Sequence, residues 1–437
     1  MQRSASYARY VLGVMVAINF LNYMDRYVGA AASTLIQKEF HLSDSEVGLL
    51  GSAFLLVYAV AALPFGYWAD RGIRKAVIGA GVLIWSLATL FTGFSRNFTQ
   101  LFLSRAVLGI GEAGYYPAGT SLLSDYFPKE QRGRVMSVWG VGSTIGIAVG
   151  FAGGGIVAEK LGWRSAFFFA AVPGIICALL AFGLREPLRG SAEKRGPALA
   201  KTTDASFRMF FNLLRIPTLR ATILSQTLLY FVLASNAFWL PILLNRRFGM
   251  SAGQAGILAG VVIVLGGLIG TLGGGWLSDH LGKKSPAAYL QVGIVGFIVG
   301  AVFIAVALVA PLSVGGVPVF IPAFLIAVVC IYLYSGPFTA LSQAVVSPAL
   351  RASAVTMLIF VAHVFGDSHS TFDVGWLSDH VFHSLQTTLL VTSPTLLLLA
   401  AAIAATGLGA ARRDTETMEE DWANRPAEPA AAGTSSR

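Results

Sequence analysis

Long apolar segments alternate with short polar segments along nearly the whole chain. Each apolar segment has roughly 20 or more residues, the length of helix that crosses a ~30 Å hydrocarbon layer. The pattern predicts twelve membrane-spanning helices. We place them at residues 8–31, 45–68, 75–95, 98–125, 132–157, 164–184, 218–245, 252–277, 284–310, 318–346, 350–374 and 385–410.

The polar segments divide the chain into two halves. We predict an all-α membrane protein with a six-helix bundle over 1–184, a cytoplasmic connector over 185–217 and a second six-helix bundle over 218–410. The tail, 411–437, is rich in Pro, Ala and Glu, and we predict it to be disordered. Composition agrees with this class, because 55% of residues are hydrophobic and 12% are charged, whereas soluble proteins carry about 25% charged residues. A water-soluble enzyme and a disulfide-stapled secreted domain are excluded.

The formal net charge of +9 indicates orientation. With the N-terminus in the cytoplasm, 23 Lys and Arg residues fall in inside segments and 6 in outside segments. Because basic residues collect on the cytoplasmic side, we predict that both termini are cytoplasmic in a cell (inner or plasma) membrane protein. We therefore interpret the excess of basic residues as a signal of membrane orientation and not of nucleic-acid binding.

A Gly-x-x-x-Asp/Glu pattern occurs at the ends of predicted helices 2, 5, 8 and 11. Its copies are Gly66–Asp70, Gly155–Glu159, Gly275–Asp279 and Gly375–Asp379. The repeat unit is therefore three helices, and an odd-numbered unit must alternate its orientation across the membrane. Inverted repeats of this kind are typical of secondary transporters.

Two motifs resemble the major facilitator superfamily. The stretch Gly66–Lys75 resembles its loop 2–3 signature, although Gly72 comes one residue early, and the copy Gly275–Lys284 keeps the usual spacing. On helix 4, Arg105–Gly109 resembles the superfamily's proton-linked Arg-x-x-x-Gly pattern. The resemblance implies 3+3 inverted repeats in each half, alternating access by a rocker-switch movement, and a monomer.

Further stretches narrow the resemblance. Asn22–Arg26 with Gly111–Ala113 resembles both Spinster-type lipid transporters and organic-anion:proton symporters. His363–Ser370, followed by Gly375–Asp379, resembles the Spinster helix 11 pattern, with Thr371 in place of the usual proline. The Spinster resemblance implies an amphiphilic, lipid-like substrate such as a lysophospholipid or a sphingoid phosphate.

Charged residues inside membrane spans are costly and mark functional candidates. Arg105 and Glu112 share a face of helix 4 but lie ~10.5 Å apart along its axis, so Asp25 on helix 1 is the expected partner of Arg105. We predict that these three residues couple proton binding to conformation, because a carboxylate beside Arg stays ionised and one in a dry apolar site takes up a proton. The alternative is a fixed ion pair that holds helices 1 and 4 together.

Substrate-binding candidates come from both halves. Arg105 is equally plausible as an anchor for Asp25 and as a ligand for an anionic head group, and Arg26 is either a second cavity cation or a snorkelling side chain. On helix 11, His363 and Asp367 share one face, where they would form a proton or substrate site or a polar gate. Helix 7 contributes the uncharged candidates Tyr230, Asn236 and Trp239, for which packing is the alternative.

Gating candidates lie at the predicted cytoplasmic ends of the helices. By the resemblance, Asp70 latches the two halves when that side closes, with Arg71, Arg74 and Arg134 nearby, and Asp279 occupies the same position in the second half. The alternative is that the basic residues only set orientation.

Three functional hypotheses remain open. The first is a proton-coupled, Spinster-type transporter of an amphiphilic lipid, and the second is an organic-anion or sugar-acid:proton symporter that uses the same charged residues. The third is a membrane-embedded enzyme or a receptor. The sequence contains no HExxH, CxxC, GxSxG or phosphate-loop motif that would support an enzyme. We expect no metal and no cofactor, with the proton gradient as the energy source.

Overall fold

The computed structural model describes residues 5–189, 213–282, 285–314, 317–347 and 350–423. Nearly all of them are helical. The first half contains α1 (Ala5–Phe40), α2 (Asp44–Arg71), α3 (Arg74–Phe94), α4 (Phe98–Ala113), α5 (Tyr115–Tyr126), α6 (Lys129–Leu161) and α7 (Trp163–Gly183).

The second half has the same order of crossings, with two broken crossings where the first half has one. It contains α8 (Pro217–Phe248), α9 (Ala252–Gly282), α10 (Ala287–Val309), the short strands β1 (Ser313–Val314) and β2 (Val317–Pro318), α11 (Phe320–Tyr332), α12 (Ser335–Ala344), α13 (Arg351–Ala362), a π-helical turn (His363–Asp367), α14 (Ser368–His380), α15 (Leu385–Thr406) and α16 (Leu408–Ala423). The fourth crossing is α4 with α5, the tenth is α11 with α12, and the eleventh is α13, the π turn and α14. The predicted fold of twelve crossings in two six-helix halves is confirmed.

Apolarity alone identifies nine of these crossings among the described residues. The other three are α1, the α4–α5 crossing and the α13–α14 crossing. These three carry the intramembrane charges Asp25, Arg26, Arg105, Glu112 and Asp367. The segments that look least like membrane helices are therefore the ones that build the centre of the protein.

Close packing of α1 against α6 positions the charges of α1. A Cβ atom at Gly146 would lie 2.3 Å from the carbonyl oxygen of Phe20, and one at Gly150 would lie 2.6 Å from that of Met24. Small residues allow membrane helices to approach at this distance. Asp25 and Arg26, which follow Met24 directly, are thus held at a fixed depth.

The chain after the twelfth crossing differs from the prediction. Disorder over 411–437 is wrong for residues up to Ala423, which form α16, and residues 424–437 lie outside the described part. The carboxylate of Asp414 accepts hydrogen bonds from the backbone N–H of Thr218 (3.0 Å) and its hydroxyl (2.7 Å). This cap on α8 anchors α16 to the second half, which composition alone does not reveal.

The first residues of the connector are tied to the α2–α3 loop. Arg189 donates to the carbonyl oxygens of Ala69 (2.7 Å) and Gly72 (2.9 Å), at the end of α2. Glu186 accepts from the side chain of Arg74 (2.7 Å) and the backbone N–H of Lys75 (3.0 Å). Most of the predicted connector, residues 190–212, lies outside the described part.

Candidate functional site

A cavity of about 330 Å³ lies between the two halves, near the middle of the crossings. Both halves contribute aromatic and charged side chains to its wall. The first half supplies Tyr23, Arg26, Tyr27, Phe54 and Arg105, and the second half supplies Tyr230, Tyr332, Tyr334, His363 and Asp367. Of the predicted substrate-binding residues, the structure brings Arg26, Arg105, Tyr230, His363 and Asp367 together here.

A partly buried ion pair joins α1 to α4 beside the cavity. Nε of Arg26 lies 2.7 Å from Oε2 of Glu112, whose side chain is fully buried. The guanidinium of Arg26 lies 5.1 Å from the ring centres of Tyr23 and Phe54 and 5.3 Å from that of Tyr58. Arg26 is therefore the partner of Glu112 and is held by aromatic rings as well.

The predicted direct pairing of Asp25 with Arg105 is absent from the hydrogen bonds of the described residues. Asp25 is 1% exposed and accepts from the hydroxyl of Thr89 at 3.3 Å. Arg105 lies against Gly29 of α1, where an added Cβ would be 3.3 Å from its guanidinium carbon. Asp25 still interacts electrostatically with both Arg105 and Glu112, so the structure gathers the predicted coupling residues and Arg26 into one cluster.

Two polar atoms of this cluster are buried without a hydrogen-bond partner. They are Oδ1 of Asp25 and Nη1 of Arg105. Leaving a buried charged group unsatisfied costs free energy, and native proteins rarely do so without a functional reason. The arrangement has the capacity to accept a proton or a ligand group without dismantling the helix packing.

The second half places one acid at the cavity. Oδ2 of Asp367 lies 2.7 Å from Nδ1 of His363, and its Oδ1 is buried without a partner. The predicted i, i+4 pair is thus formed, but across a π-helical turn. The turn is held against α8, because a Cβ at Gly366 would lie 2.4 Å from the carbonyl oxygen of Thr227. Turns of this type are frequent at functional sites.

Two candidates of α8 do not line the described cavity. Asn236 donates to Val232 (2.8 Å) and to the hydroxyl of Ser393 on α15 (2.8 Å). Trp239 is fully buried and donates to the carbonyl oxygen of Thr371 at 3.1 Å. Both side chains serve helix packing, because their polar groups are already satisfied by neighbouring helices.

We call the end of the bundle where α2 begins and α14 finishes the outer end, and the opposite end the inner end. At the inner end Arg71 stacks on Tyr67 at 3.8 Å, and Arg71, Arg134 and Asp279 are exposed. Arg74 differs from the predicted gating cation, because it is fully buried and bonds to Asp125, Glu186 and the carbonyl oxygen of Pro187. Arg74 therefore ties the first half together. Asp70 lies near the end of α2, and its side chain is outside the described part of the structure.

At the outer end, the acid of the fourth repeat copy caps a helix of the opposite half. Asp379 accepts from the backbone N–H of Ser45 (2.7 Å) and of Asp44 (3.1 Å), the first residues of α2, and from the Ser45 hydroxyl (2.6 Å). Asp44 in turn accepts from Arg246 (2.8 Å) and Ser378 (2.7 Å). An acid at a helix N-terminus is stabilised by the helix dipole.

The acid of the second repeat copy makes the equivalent contact from the first half to the second. Oε2 of Glu159, at the end of α6, accepts from the backbone N–H of Gly253 at 2.8 Å, at the start of α9. Each half therefore caps a helix of the other with its outer acid, and we call these two contacts the outer latch. The gating residues predicted from the sequence, Asp70 and Asp279, are the two inner acids of the repeat. Glu159 and Asp379 occupy the same motif position, so the repeat contained a signal for them as well.

Replacing Asp379 by Asn is expected to weaken the outer latch. Asn lacks the charge and one of the two acceptor oxygens that Asp379 presents to the N-terminus of α2, a loss of about 1 kcal/mol, which shifts a two-state equilibrium about fivefold toward separation of the outer ends. Spin labels at Leu161 and Val381, both exposed at the outer end, would report this as a larger long-distance population in electron-electron resonance. The background would lack the free cysteines Cys177 and Cys330.

Asp279→Asn is the matched control for this prediction. Asp279 occupies the same motif position but is exposed at the inner end. Its replacement should leave the outer distance distribution unchanged or shift it toward the short distance. An equal opening by both variants would show that Asp379 does not hold the outer end.

Comparison with known proteins agrees with the fold. A family model described as Major Facilitator Superfamily matches residues 15–368. A crystal structure of a bacterial homologue of the human lysosomal transporter Spinster, inward-facing and unoccupied, superposes with a TM-score of 0.81 at 25% identity, covering 96% of this chain and 99% of that one.

Three sequence relatives illustrate the range of similar proteins. A protein described as an MFS-type efflux pump, from Mycolicibacterium smegmatis, is 30% identical over 94% of this chain and 94% of its own length. Protein spinster homolog 1 of Mus musculus is 30% identical, covering 96% of this chain and 82% of that protein. Sphingosine-1-phosphate transporter SPNS2 of Xenopus tropicalis is 29% identical, covering 85% and 74%.

Proposed function

The chain belongs to the Major Facilitator Superfamily and, within it, to the Spinster family, and we propose that this transporter moves an amphiphilic lipid by proton-coupled alternating access. The observation that carries the proposal is the partly buried Arg26–Glu112 pair, with Asp25 and Arg105 beside it, at the wall of a cavity between the two halves. Charges at membrane depth are retained where they bind a substrate or a proton.

The coupling step in this proposal is an exchange of partners at Glu112. While Glu112 is ionised, it holds Arg26 at 2.7 Å. A proton on Glu112 cancels that attraction, so the Arg26 guanidinium becomes available to an anionic group in the cavity. Asp25, one residue earlier on α1 and in electrostatic contact with Glu112, is the second proton acceptor. Proton occupancy and substrate occupancy are thereby linked.

The outer latch supplies the conformational half of the cycle. Asp379 and Glu159 hold the outer end closed, and the exposed Asp279 and Arg134 lie at the inner end. By the inverted repeat, the inner acids Asp70 and Asp279 make the corresponding contacts when the inner end closes. The two bundles rock between these states, and we propose a cytoplasmic location for the inner end and both termini, as the distribution of basic residues favours.

The substrate class follows from the cavity and the relatives. Two guanidinium groups on the first-half wall suit a phosphate, while the surrounding aromatic and aliphatic side chains suit an alkyl chain. A relative of this chain is named as a sphingosine-1-phosphate transporter. We therefore assign a lysophospholipid or a sphingoid phosphate as the type of substrate, carried by a monomer without a metal or a cofactor.

Counterflow in liposomes tests this proposal against the organic-anion alternative, which the cluster of Arg26, Arg105 and their acids also accommodates. Proteoliposomes loaded with either an unlabelled lysophospholipid or an unlabelled sugar acid would be given the labelled form of the same compound. We expect exchange of the lysophospholipid alone. Exchange of the sugar acid alone would favour the organic-anion symporter.

A further inference from the structure

We propose that the second-half wall of the cavity is a binding site for the primary ammonium group of the substrate, with Asp367 as its acceptor. This inference rests on the proposed function and adds a specificity to it. The transporter would select amphiphiles that carry an ammonium group near the phosphate and would discriminate against phospholipids without one.

One carboxylate oxygen of Asp367 has no hydrogen-bond partner. Asp367 is 7% exposed, and His363 engages its Oδ2 only. Oδ1 is buried with no hydrogen-bond partner, and the residue lines the cavity. An orphaned carboxylate oxygen costs free energy that a charged N–H donor would recover.

Aromatic side chains surround Asp367 in the cavity. Tyr27, Tyr230 and Tyr334 all interact electrostatically with its carboxylate, and the ring of Tyr230 lies 5.3 Å from that of His363. Aromatic rings around an acid are the environment that proteins use for organic ammonium ions. Among the described cavity-lining residues, the second half contributes neither Lys nor Arg, and its His363 engages only Oδ2 of Asp367, so Oδ1 is left without a hydrogen-bond partner on this wall.

The first-half wall of the cavity carries a charge opposite to that of Asp367. Arg26 and Arg105 line the cavity from the first half. A head group with a phosphate and an ammonium therefore meets a complementary charge on each side and bridges the two halves. A head group without the ammonium leaves the Asp367 carboxylate desolvated and unpaired, which disfavours its binding.

Two lipids that differ in this one feature provide the test. Labelled 1-palmitoyl lysophosphatidylethanolamine and 1-palmitoyl lysophosphatidylglycerol share the chain and the phosphodiester, but only the first carries an ammonium. Their affinities for the unmodified protein would be measured in phosphatidylcholine nanodiscs by scintillation proximity. We expect the ethanolamine lipid to bind at least about tenfold more tightly.

Variants assign the preference to Asp367. In Asp367→Asn the two lipids should bind with equal affinity, because the ethanolamine lipid loses its charged acceptor and the glycerol lipid no longer leaves a carboxylate unpaired. The matched control is Asp373→Asn, because Asp373 pairs with His369 at 2.5 Å on the same helix but does not line the described cavity. This control should keep the full preference.

The outcomes separate this inference from the function on which it rests. Equal affinity of the unmodified protein for both lipids would overturn the ammonium site and leave lipid transport standing, and this comparison needs no variant that folds. A preference that survives in Asp367→Asn would also overturn it. Binding of neither lipid would contradict the proposed function as well.

Discussion

Glu112→Gln is expected to abolish uphill, proton-driven transport while exchange of substrate down its own gradient continues. The amide keeps the size of the side chain and a hydrogen-bond acceptor for Arg26, but it can neither ionise nor take up a proton. One proton crossing 100 mV carries about 2.3 kcal/mol, enough for accumulation of tens-fold. That whole factor should disappear in proteoliposomes with an imposed pH gradient and membrane potential, whereas counterflow should stay within a few-fold of the unmodified protein.

Glu416→Gln is the control, since Glu416 is exposed on α16 and pairs only with Arg412 among the described contacts. It should leave both driven transport and counterflow unchanged. If Glu112→Gln lost folding and counterflow together with driven transport, Glu112 would be a structural ion pair between α1 and α4. Retention of full accumulation by Glu112→Gln would remove it from the coupling scheme.

Gly375→Ala is expected to prevent closure of the outer end. An added Cβ would lie 2.2 Å from the carbonyl oxygen of Asp44 and 2.7 Å from its carbonyl carbon. Both atoms belong to the backbone of α2, so no side chain can move aside to make room. Because alternating access needs the outer end to close in every cycle, transport should fall by more than about tenfold. The spin-label distance between Leu161 and Val381 should lengthen at the same time.

The repeat itself offers the control for this prediction. Gly275 holds the same motif position in α9, and a Cβ there would meet nothing within 4 Å. Gly275→Ala should leave the outer distance unchanged and the protein stably folded. A normal transport rate in Gly375→Ala would show that α2 and α14 do not need to approach this closely during the cycle.

Much of the fold follows from features that the sequence displays directly. Apolar length defines the crossings because the bilayer leaves few alternatives to a helix. The Gly-x-x-x-acid copies marked the symmetry, and in the structure Glu159 and Asp379 are the residues that join the halves. Spacing was sufficient for the His363–Asp367 pair, since i, i+4 side chains meet on one helix face.

The partners in the charged cluster were less accessible to sequence reasoning. Asp25 and Arg26 are adjacent and point about 100° apart on a helix, and which of them faces α4 depends on the rotation of α1. That rotation is set by the contacts of Gly146 and Gly150 of α6 with α1, which involve two distant segments. Sequence reasoning therefore paired Arg105 with Asp25, while the structure pairs Arg26 with Glu112.

Long-range contacts also explain why two predicted substrate-binding residues do not line the cavity. Asn236 and Trp239 are polar or amphipathic residues of α8, and nothing local reveals that Ser393 and Thr371 satisfy them. The helical α16 escaped prediction for the same reason, since its anchor Asp414 caps a helix that begins almost two hundred residues earlier. The π turn at Asp367 has no local sequence signature.

We propose above all that substrate and protons move together through this protein. The most direct measurement uses the unmodified protein in liposomes that enclose a pH-sensitive dye, with a lysophospholipid gradient and no imposed pH gradient. We predict that the substrate gradient alone moves protons across the membrane, that Glu112→Gln abolishes this signal, and that the signal scales with substrate flux. Lysophospholipid flux at the full rate with no change in internal pH would contradict it.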